Sequence, residues 1–275
     1  MRLFLTASAD TTLYQRFPTT NAGLDEILEV GKVAAPEDLE VAYTGSAART
    51  IINFTLPVSG TIPETASFYL NLKIANAQNL QYQQELKIYE ISGSWAEGSG
   101  YSIEKNNVRI PLYLSRSTEY VGDFDPTKIV ATDDGATWNQ SNTSVSWSIA
   151  GGSYYGNPTQ SVVVSDYPLE DLRIDVSGIM QSVLIDNRDF KGFLVQLSPA
   201  YETSSLNKSN IKFFSRQTHT IHEPILEVVW NTNTFSTGSL KPIPSTYDIE
   251  VVPKNPKETY IRGSKERIRF VVRDK

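Results

Sequence analysis

The sequence predicts an all-β protein, a jelly-roll-like β-sandwich with one short helix, followed by a small, incomplete Ig-like β segment. Apolar and polar residues alternate along Ser67–Ile74 and Glu85–Ile91, the period of strands with one face on a core. Fourteen Tyr and eleven Phe against two Met favour a pleated surface, where aromatic side chains pack well. Gly, Pro and Asn break these runs at short intervals, and few helical patterns lie between them.

Taken in order, Leu13–Phe17 runs into the turn from Pro18 to Gly23, Glu26–Val30 stops at Gly31, and Arg49–Leu56 ends at Pro57. Residues 93–157 are loop-rich, with Gly-Ser-Gly at 98–100, Asp-Asp-Gly at 133–135 and Gly-Gly-Ser at 151–153. Trp95, Trp138 and Trp147 are spaced through this stretch, so it is expected to be ordered and to fold over the end of the sandwich. The single helix falls in Asp175–Ile185, with Ser177 capping its start and Ile179, Met180 and Val183 on one face. Strands follow at Gly192–Leu197, Asn210–Ser215 and Pro224–Trp230, where a first domain of residues 1–230 closes. Residues 231–245 are rich in small polar residues and Pro and read as a linker. Residues 246–275 hold strands at Tyr247–Val252 and Arg267–Arg273 and a third candidate at Thr259–Ile261. Two or three strands make no independent core, so this segment is expected to need a partner, as an attachment or the start of a second domain.

Charge separates the two parts. Residues 241–275 carry nine Lys/Arg against five Asp/Glu, net +4, which leaves 16 against 26, net −10, for the rest of a chain whose total is −6. The basic candidates for electrostatic docking are Arg262, Lys265, Arg267, Arg269 and Arg273. An acidic total gives no general reason to expect nucleic acid, and no run approaches the ~20 apolar residues that span a bilayer. The apolar run Leu3-Phe4-Leu5 is too short for a signal-peptide core.

Catalytic chemistry finds little footing. The chain has no Cys, and a spacing of three puts His219 and His222 on opposite faces of an extended segment, so neither a thiol nucleophile nor a metal pair is expected. The acids Asp25/Glu26, Asp123/Asp125 and Asp133/Asp134 lie beside Gly or Pro, where Asp bonds its own backbone in turns. The expectation is no cofactor. Ca²⁺ is the one ion the loop acids at 123–125 and 133–134 would suit, although no EF-hand-like spacing is present. The aromatics offer a different use. Tyr154 and Tyr155, between Gly152 and Gly156, and Trp147 are the candidates for stacking on a sugar ring, whereas Trp95 and Trp138 read as structural plugs.

Four groups of residues carry a resemblance to a known family. They are Ala9-Asp10-Thr-Thr with Pro18, Asn21 and Gly23; Arg49–Phe54 with Thr61-Ile-Pro63 and Ala66–Leu70; Ser94-Trp-Ala-Glu97 with Ala136-Thr-Trp138, Trp147 and Gly151-Gly152; and Ile174-Asp-Val176, Gly192-Phe-Leu194, Phe214-Ser-Arg216 and Pro224–Val228. In order and spacing, residues 9–230 resemble the DNRLRE-type domain, a jelly-roll-like sandwich grouped with carbohydrate-binding modules. Ser153 stands where the family often has an acid after the paired glycines, and Asn53 where it has Asp. The acids that a metal or sugar could use in relatives are therefore missing at these two positions.

A domain that begins almost at Met1 and continues into further β structure also resembles bacteriophage virion components such as neck, tail or fibre parts, made in the host cytoplasm. The resulting expectation is a non-enzymatic virion protein whose sandwich serves assembly or display, with other virion proteins or copies of itself as partners. The alternative is a carbohydrate-binding module that reads a surface glycan through its loop aromatics.

Overall fold

The computed structural model describes residues 1–33, 46–57, 62–78, 80, 83–100, 134–165, 169–231, 249–254 and 269–274. It divides into two units, Met1–Thr232 and Asn233–Lys275. In the first unit the strands are β1 (Arg2–Tyr14), β2 (Ile27–Val33), β3 (Ser46–Phe54), β4 (Ser67–Leu72), β5 (Ile74–Gln78), β6 (Gln83–Glu90), β7 (Gln140–Asn142), β8 (Val145–Ser146), β9 (Gln160–Ser165), β10 (Leu172–Asp175), β11 (Phe193–Leu197), β12 (Asn210–Phe214) and β13 (Ile225–Val229). Two helices interrupt them, α1 (Ser177–Ile185) and α2 (Pro199–Thr203). The second unit is described as the antiparallel pair β14 (Ile249–Lys254) and β15 (Arg269–Asp274).

The main chain of pairings runs β10-β4-β13-β1-β3-β11-β6-β9, with β2, β12 and β5 extending from β3, and every pairing is antiparallel. The predicted all-β sandwich is thus the fold found. Two stretches of chain, the strand β1 and the consecutive strands β4 and β5, pass from one layer to the other. Residues Arg2–Thr6 of β1 pair with β13, and Ala7–Tyr14 pair with β3 after an irregularity between Ala7 and Ala9. Likewise β4 pairs with β13 and β10, whereas β5, which begins after Lys73, pairs with β12. Strands that bend between sheets in this way make the corners of a sandwich.

Alternation decides what lies between the layers. Phe68, Leu70 and Leu72 of β4, with Leu226 and Val228 of β13, face Ile52, Phe54, Leu86, Ile88, Phe193 and Phe213 from the other layer. Ile179, Met180 and Val183 of α1 join the same cluster, so the predicted helical face is the buried one. Ser177 is not its cap. It is the first helical residue; its hydroxyl accepts the Phe68 N–H at 2.8 Å, tying the helix to β4, and Asp175 Oδ1 accepts the Ser177 N–H instead. The second helix, α2, is one turn begun by Pro199, and the sequence reading had no place for it. The first strand is also longer than expected: it takes in Leu3-Phe4-Leu5, because alternation there continues through a polar stretch.

All five residues of β11 are buried. Phe193, Val195 and Leu197 point into the inter-layer core, whereas Leu194 joins Leu13, Ile51, Tyr89 and Ile91 in a second cluster on the opposite face. Ala136, Trp138 and Trp147 complete that cluster, with Trp95 and Tyr154 packed against it. The loop-rich segment is therefore ordered where described, but it covers a face of the sheet rather than an end of the sandwich. The entry into β11 depends on Gly192, whose φ is +114° and whose added Cβ would stand 2.5 Å from the Ile52 carbonyl oxygen.

Gly192→Ala is expected to destabilise the fold by about 2–4 kcal/mol through strain and that clash. Gly178→Ala, at a helical position with nothing within 4 Å of the added Cβ, should stabilise it by about 0.5–1 kcal/mol. Urea midpoints of the two variants check both signs.

Candidate functional site

Residues far apart in the sequence, Gly23, Glu97, Gly100 and Ala136, meet around Asn21. It lies in the turn after β1 and is fully buried. Its amide donates to the Glu97 carbonyl at 2.7 Å and the Ala136 carbonyl at 2.8 Å, and its oxygen accepts the Gly23 and Gly100 N–H groups at 3.1 and 2.8 Å. One side chain thus uses both of its ends to join the strand layer to the segments on either side of residues 101–133. Gly23, Gly98, Gly100 and Gly135 surround it because an added Cβ at each would stand 2.7 Å or less from backbone or from Asn21 itself.

Beside Asn21, Asp10 of β1, Glu97 and Arg216 form a charged group. Asp10 Oδ2 accepts the Arg216 N–H at 2.7 Å, Glu97 Oε1 accepts the Asp10 N–H at 3.0 Å, and the Arg216 guanidinium reaches Glu97 Oε2 at 2.6 Å. Asp10 Oδ1 is buried with no hydrogen-bond partner among the described residues. Burial raises the Asp10 pKa from 3.8 to about 7, opposed by the bond from the Arg216 amide and aided by the Glu97 charge.

A cleft of about 510 Å³ lies between the end of β1, β3 and α2, lined in part by Gln15, Lys32, Arg49, Trp138 and Glu202. Arg49 grips Glu202 bidentately at 2.7 and 2.8 Å, donates to the Gly151 carbonyl at 3.1 Å and lies 4.8 Å from the centre of the Trp138 ring. Its donors and the indole face beneath it serve internal fastening rather than a ligand. Lys32 is buried, and burial lowers its pKa against the opposing pull of Glu202. A second cavity of about 420 Å³, between the end of β3 and α1, has Phe54, Leu56, Phe68, Val183 and Phe190 on its walls and Arg188 among its polar residues.

The three aromatic candidates separate. Trp147 is buried, and its indole N–H donates to the Thr137 carbonyl at 2.8 Å, so its ring packs the second core and offers no stacking face. Tyr154 is half-buried against Tyr89, with ring centres 4.3 Å apart. Tyr155 is 40% exposed, and the Arg188 guanidinium lies 4.8 Å from its ring centre while donating to buried Glu90 at 3.0 Å. Of the three, Tyr155 keeps a solvent-facing ring. Trp95 and Trp138 hold the structural places expected of them, Trp95 donating to the Lys191 carbonyl at 2.7 Å.

Other candidates fall apart as chemical groups. His219 is exposed and 3.6 Å from Glu26, whereas His222 packs on Phe214 with ring centres 5.3 Å apart. Asp134 accepts both the N–H and the hydroxyl of Ser99; Asp123, Asp125 and Asp133 lie outside the described residues. Among the described residues there is no group of three or more His, Asp or Glu placed to hold a metal, and no helix long and apolar enough to cross a membrane. Of the basic candidates, Arg269 and Arg273 lie on β15, where Arg273 pairs with Glu250 at 2.8 Å. Arg262, Lys265, Arg267 and the candidate strand Thr259–Ile261 lie outside the described residues.

No protein-family model matches this sequence, and no curated protein matches it. The likeness to the DNRLRE-type domain accordingly rests on the quoted residues of the sequence alone.

A raised carboxyl pKa means that the native state holds a proton the unfolded chain releases. The stability this gives is complete below pH 3.8 and is lost as pH rises to about 7. Asp10→Asn keeps an acceptor for the Arg216 amide without the titration, so urea midpoints between about pH 4 and pH 8 should fall less steeply than in the parent chain. Equal slopes would assign the pH dependence elsewhere.

Proposed function

We propose that this chain is a non-catalytic structural or adhesive component, with the sandwich as a rigid display unit and residues 246–275 as its attachment. The setting proposed is a bacteriophage virion, in its neck, tail or fibre region, with other virion proteins or further copies of the chain as partners. The observation that carries the assembly reading is the β14–β15 ribbon. Its register sets Val251 opposite Val272 and Pro253 opposite Phe270. Alternation places these four on one face, and Val251, Phe270 and Val272 are 58%, 61% and 63% exposed. The other face carries Glu250, Lys254, Arg269 and Arg273 with Val252 opposite Val271 between them. A two-stranded ribbon with an apolar side is marginal alone in water, and burying that side against a partner stabilises it.

The net charge of +4 on residues 241–275 against −10 on the remainder supports docking onto an acidic surface such as another copy. The organisation of the sandwich fits a display role. Its polar clusters are engaged in internal fastening, and the 13-residue strand β1 runs through both layers.

Light scattering on the full chain and on a form ending at Thr232 tests this reading. The full chain should form an assembly or, mixed with an acidic partner, a complex, and the shorter form should be a monomer. Phe270→Ser with Val272→Ser should shift the full chain toward monomer. A monomeric full chain that engages no partner would remove the basis for the proposal.

A further inference from the structure

Three strands end the sheet layers among the described residues. β10 closes the four-stranded layer β10-β4-β13-β1, and β5 and β9 stand at the two limits of the other layer, each paired on one side. An edge strand points alternate N–H and C=O groups outward, and proteins blunt such edges with charges, proline or a bulge. β10 carries Arg173 and Asp175, and the pairing of β5 slips in register between Lys212 and Phe213 of β12. β9 has none of these devices. Its sequence, Gln160-Ser-Val-Val-Val-Ser165, holds no charge and no proline, and it pairs with β6 in unbroken register over its six residues.

The two faces of β9 differ. Val164 is buried in the inter-layer core with Val162 packed against it, whereas Val163 on the outer face is 55% exposed. The ionised groups beside it belong to β6, where Glu85 stands opposite Val163 and Lys87 opposite Ser161. These two pair with each other at 2.9 Å, and Lys87 also donates to the Ser161 hydroxyl at 2.6 Å. About Val163 the strand reads the same in both directions, with valine one place away and serine two places away on either side.

We propose that β9 pairs antiparallel with β9 of a second copy about a two-fold axis at Val163, continuing the sheet from one copy into the next. A two-fold contact must be self-complementary. This one sets Val163 against its own copy, Val162 against Val164 and Ser161 against Ser165, like with like at every place. Each copy supplies the partners that the other's outward N–H and C=O groups lack on that edge. The exposed valines meet on the axis with serines on both flanks, and such side chains suit cross-strand neighbours. Charge does not oppose the contact. The two β6 strands would lie three strand spacings apart, ~14 Å, beyond the ~8 Å over which exposed charges act at physiological salt. A six-residue edge is a strip ~20 Å long and ~4.8 Å wide, far smaller than the ~800 Å² that each partner gives a stable interface. The contact is therefore weak in dilute solution and forms where copies are concentrated, as the ribbon β14–β15 concentrates them in the assembly proposed above. That concentration is all the contact takes from the assembly reading.

The chain has no Cys, so a single introduced thiol reports the register. Cross-strand partners have Cα atoms ~5 Å apart, within the span of a disulfide. Ser161 and its own copy would instead lie four residues apart along the strands, ~14 Å. Full-length Val163→Cys, Ser161→Cys and Val145→Cys, the last at an exposed valine of β8, are oxidised mildly at high protein concentration. Each is studied with and without Phe270→Ser and Val272→Ser, and thermal midpoints check that each is folded. A covalent dimer should form about tenfold faster in Val163→Cys than in the other two, in both backgrounds. Ser161→Cys mixed with Ser165→Cys should cross-link as Val163→Cys does. Adding Val163→Lys to both chains of that mixture sets two ammonium groups face to face and should slow it about tenfold. Equal rates at positions 163, 161 and 145 would mark chance collision and overturn the proposal. So would slow hydrogen exchange of the outward β9 amides in dilute Phe270→Ser, Val272→Ser chain, which would mean that the chain covers this edge itself. A ribbon that fails to assemble leaves the Val163→Cys dimer in place, and a ribbon that assembles without that dimer sinks the edge contact alone.

Discussion

The buried amide of Asn21 is the point on which the second core depends. Strand β11 is buried on both sides, so the outer face of its sheet needs a cover, and that cover is made of loop rather than of another sheet. A loop brings unpaired peptide groups with it, and buried peptide groups must find partners. Asn21 makes two donated bonds and one accepted bond to segments 76 to 115 residues away, at the place where the chain enters and leaves residues 101–133, and accepts a fourth bond from Gly23 in its own turn. Arg49 does the same work further along, binding Glu202 of α2 and the Gly151 carbonyl while packing on Trp138. Together with the Trp95 bond to the Lys191 carbonyl and the Ile91–Tyr154 bridge, these two fasteners hold the cover against Leu13, Ile51 and Leu194.

This arrangement explains why polar and aromatic clusters that resemble sites serve internal purposes here. Asp10, Glu97 and Arg216 satisfy one another and the backbone around them. Trp138 and Trp147 are held by a cation and a carbonyl respectively, with their rings withdrawn from water. Among the described residues the surfaces left open include the ribbon β14–β15, the ring of Tyr155, and the outer side of the four-stranded layer at Phe4.

The all-β class, most of the strands and the buried face of α1 follow from the sequence alone. Each rests on local periodicity or on composition, which a linear reading captures. The early part of β1 and α2 were harder to see. In β1 alternation runs through a polar stretch, and α2 is a single turn whose Glu202 matters only because Arg49 is beside it. Ser177 had the right residue type and position for a cap, but β4 brings the Phe68 N–H within reach and takes the hydroxyl first.

For the candidate sites the division is sharper. Sequence determined that the chain has no thiol, two histidines, a basic end on an acidic body and many aromatics, because these are properties of residue types and their order. Only the tertiary structure decided which aromatics face water. Trp147 went into a core and Phe4 onto an open sheet, since exposure depends on what a neighbouring segment covers and not on the local sequence. It also decided that Phe4, Glu227, Tyr69 and Asp175, far apart in the chain, share one row, because antiparallel register aligns side chains that sequence separation keeps apart.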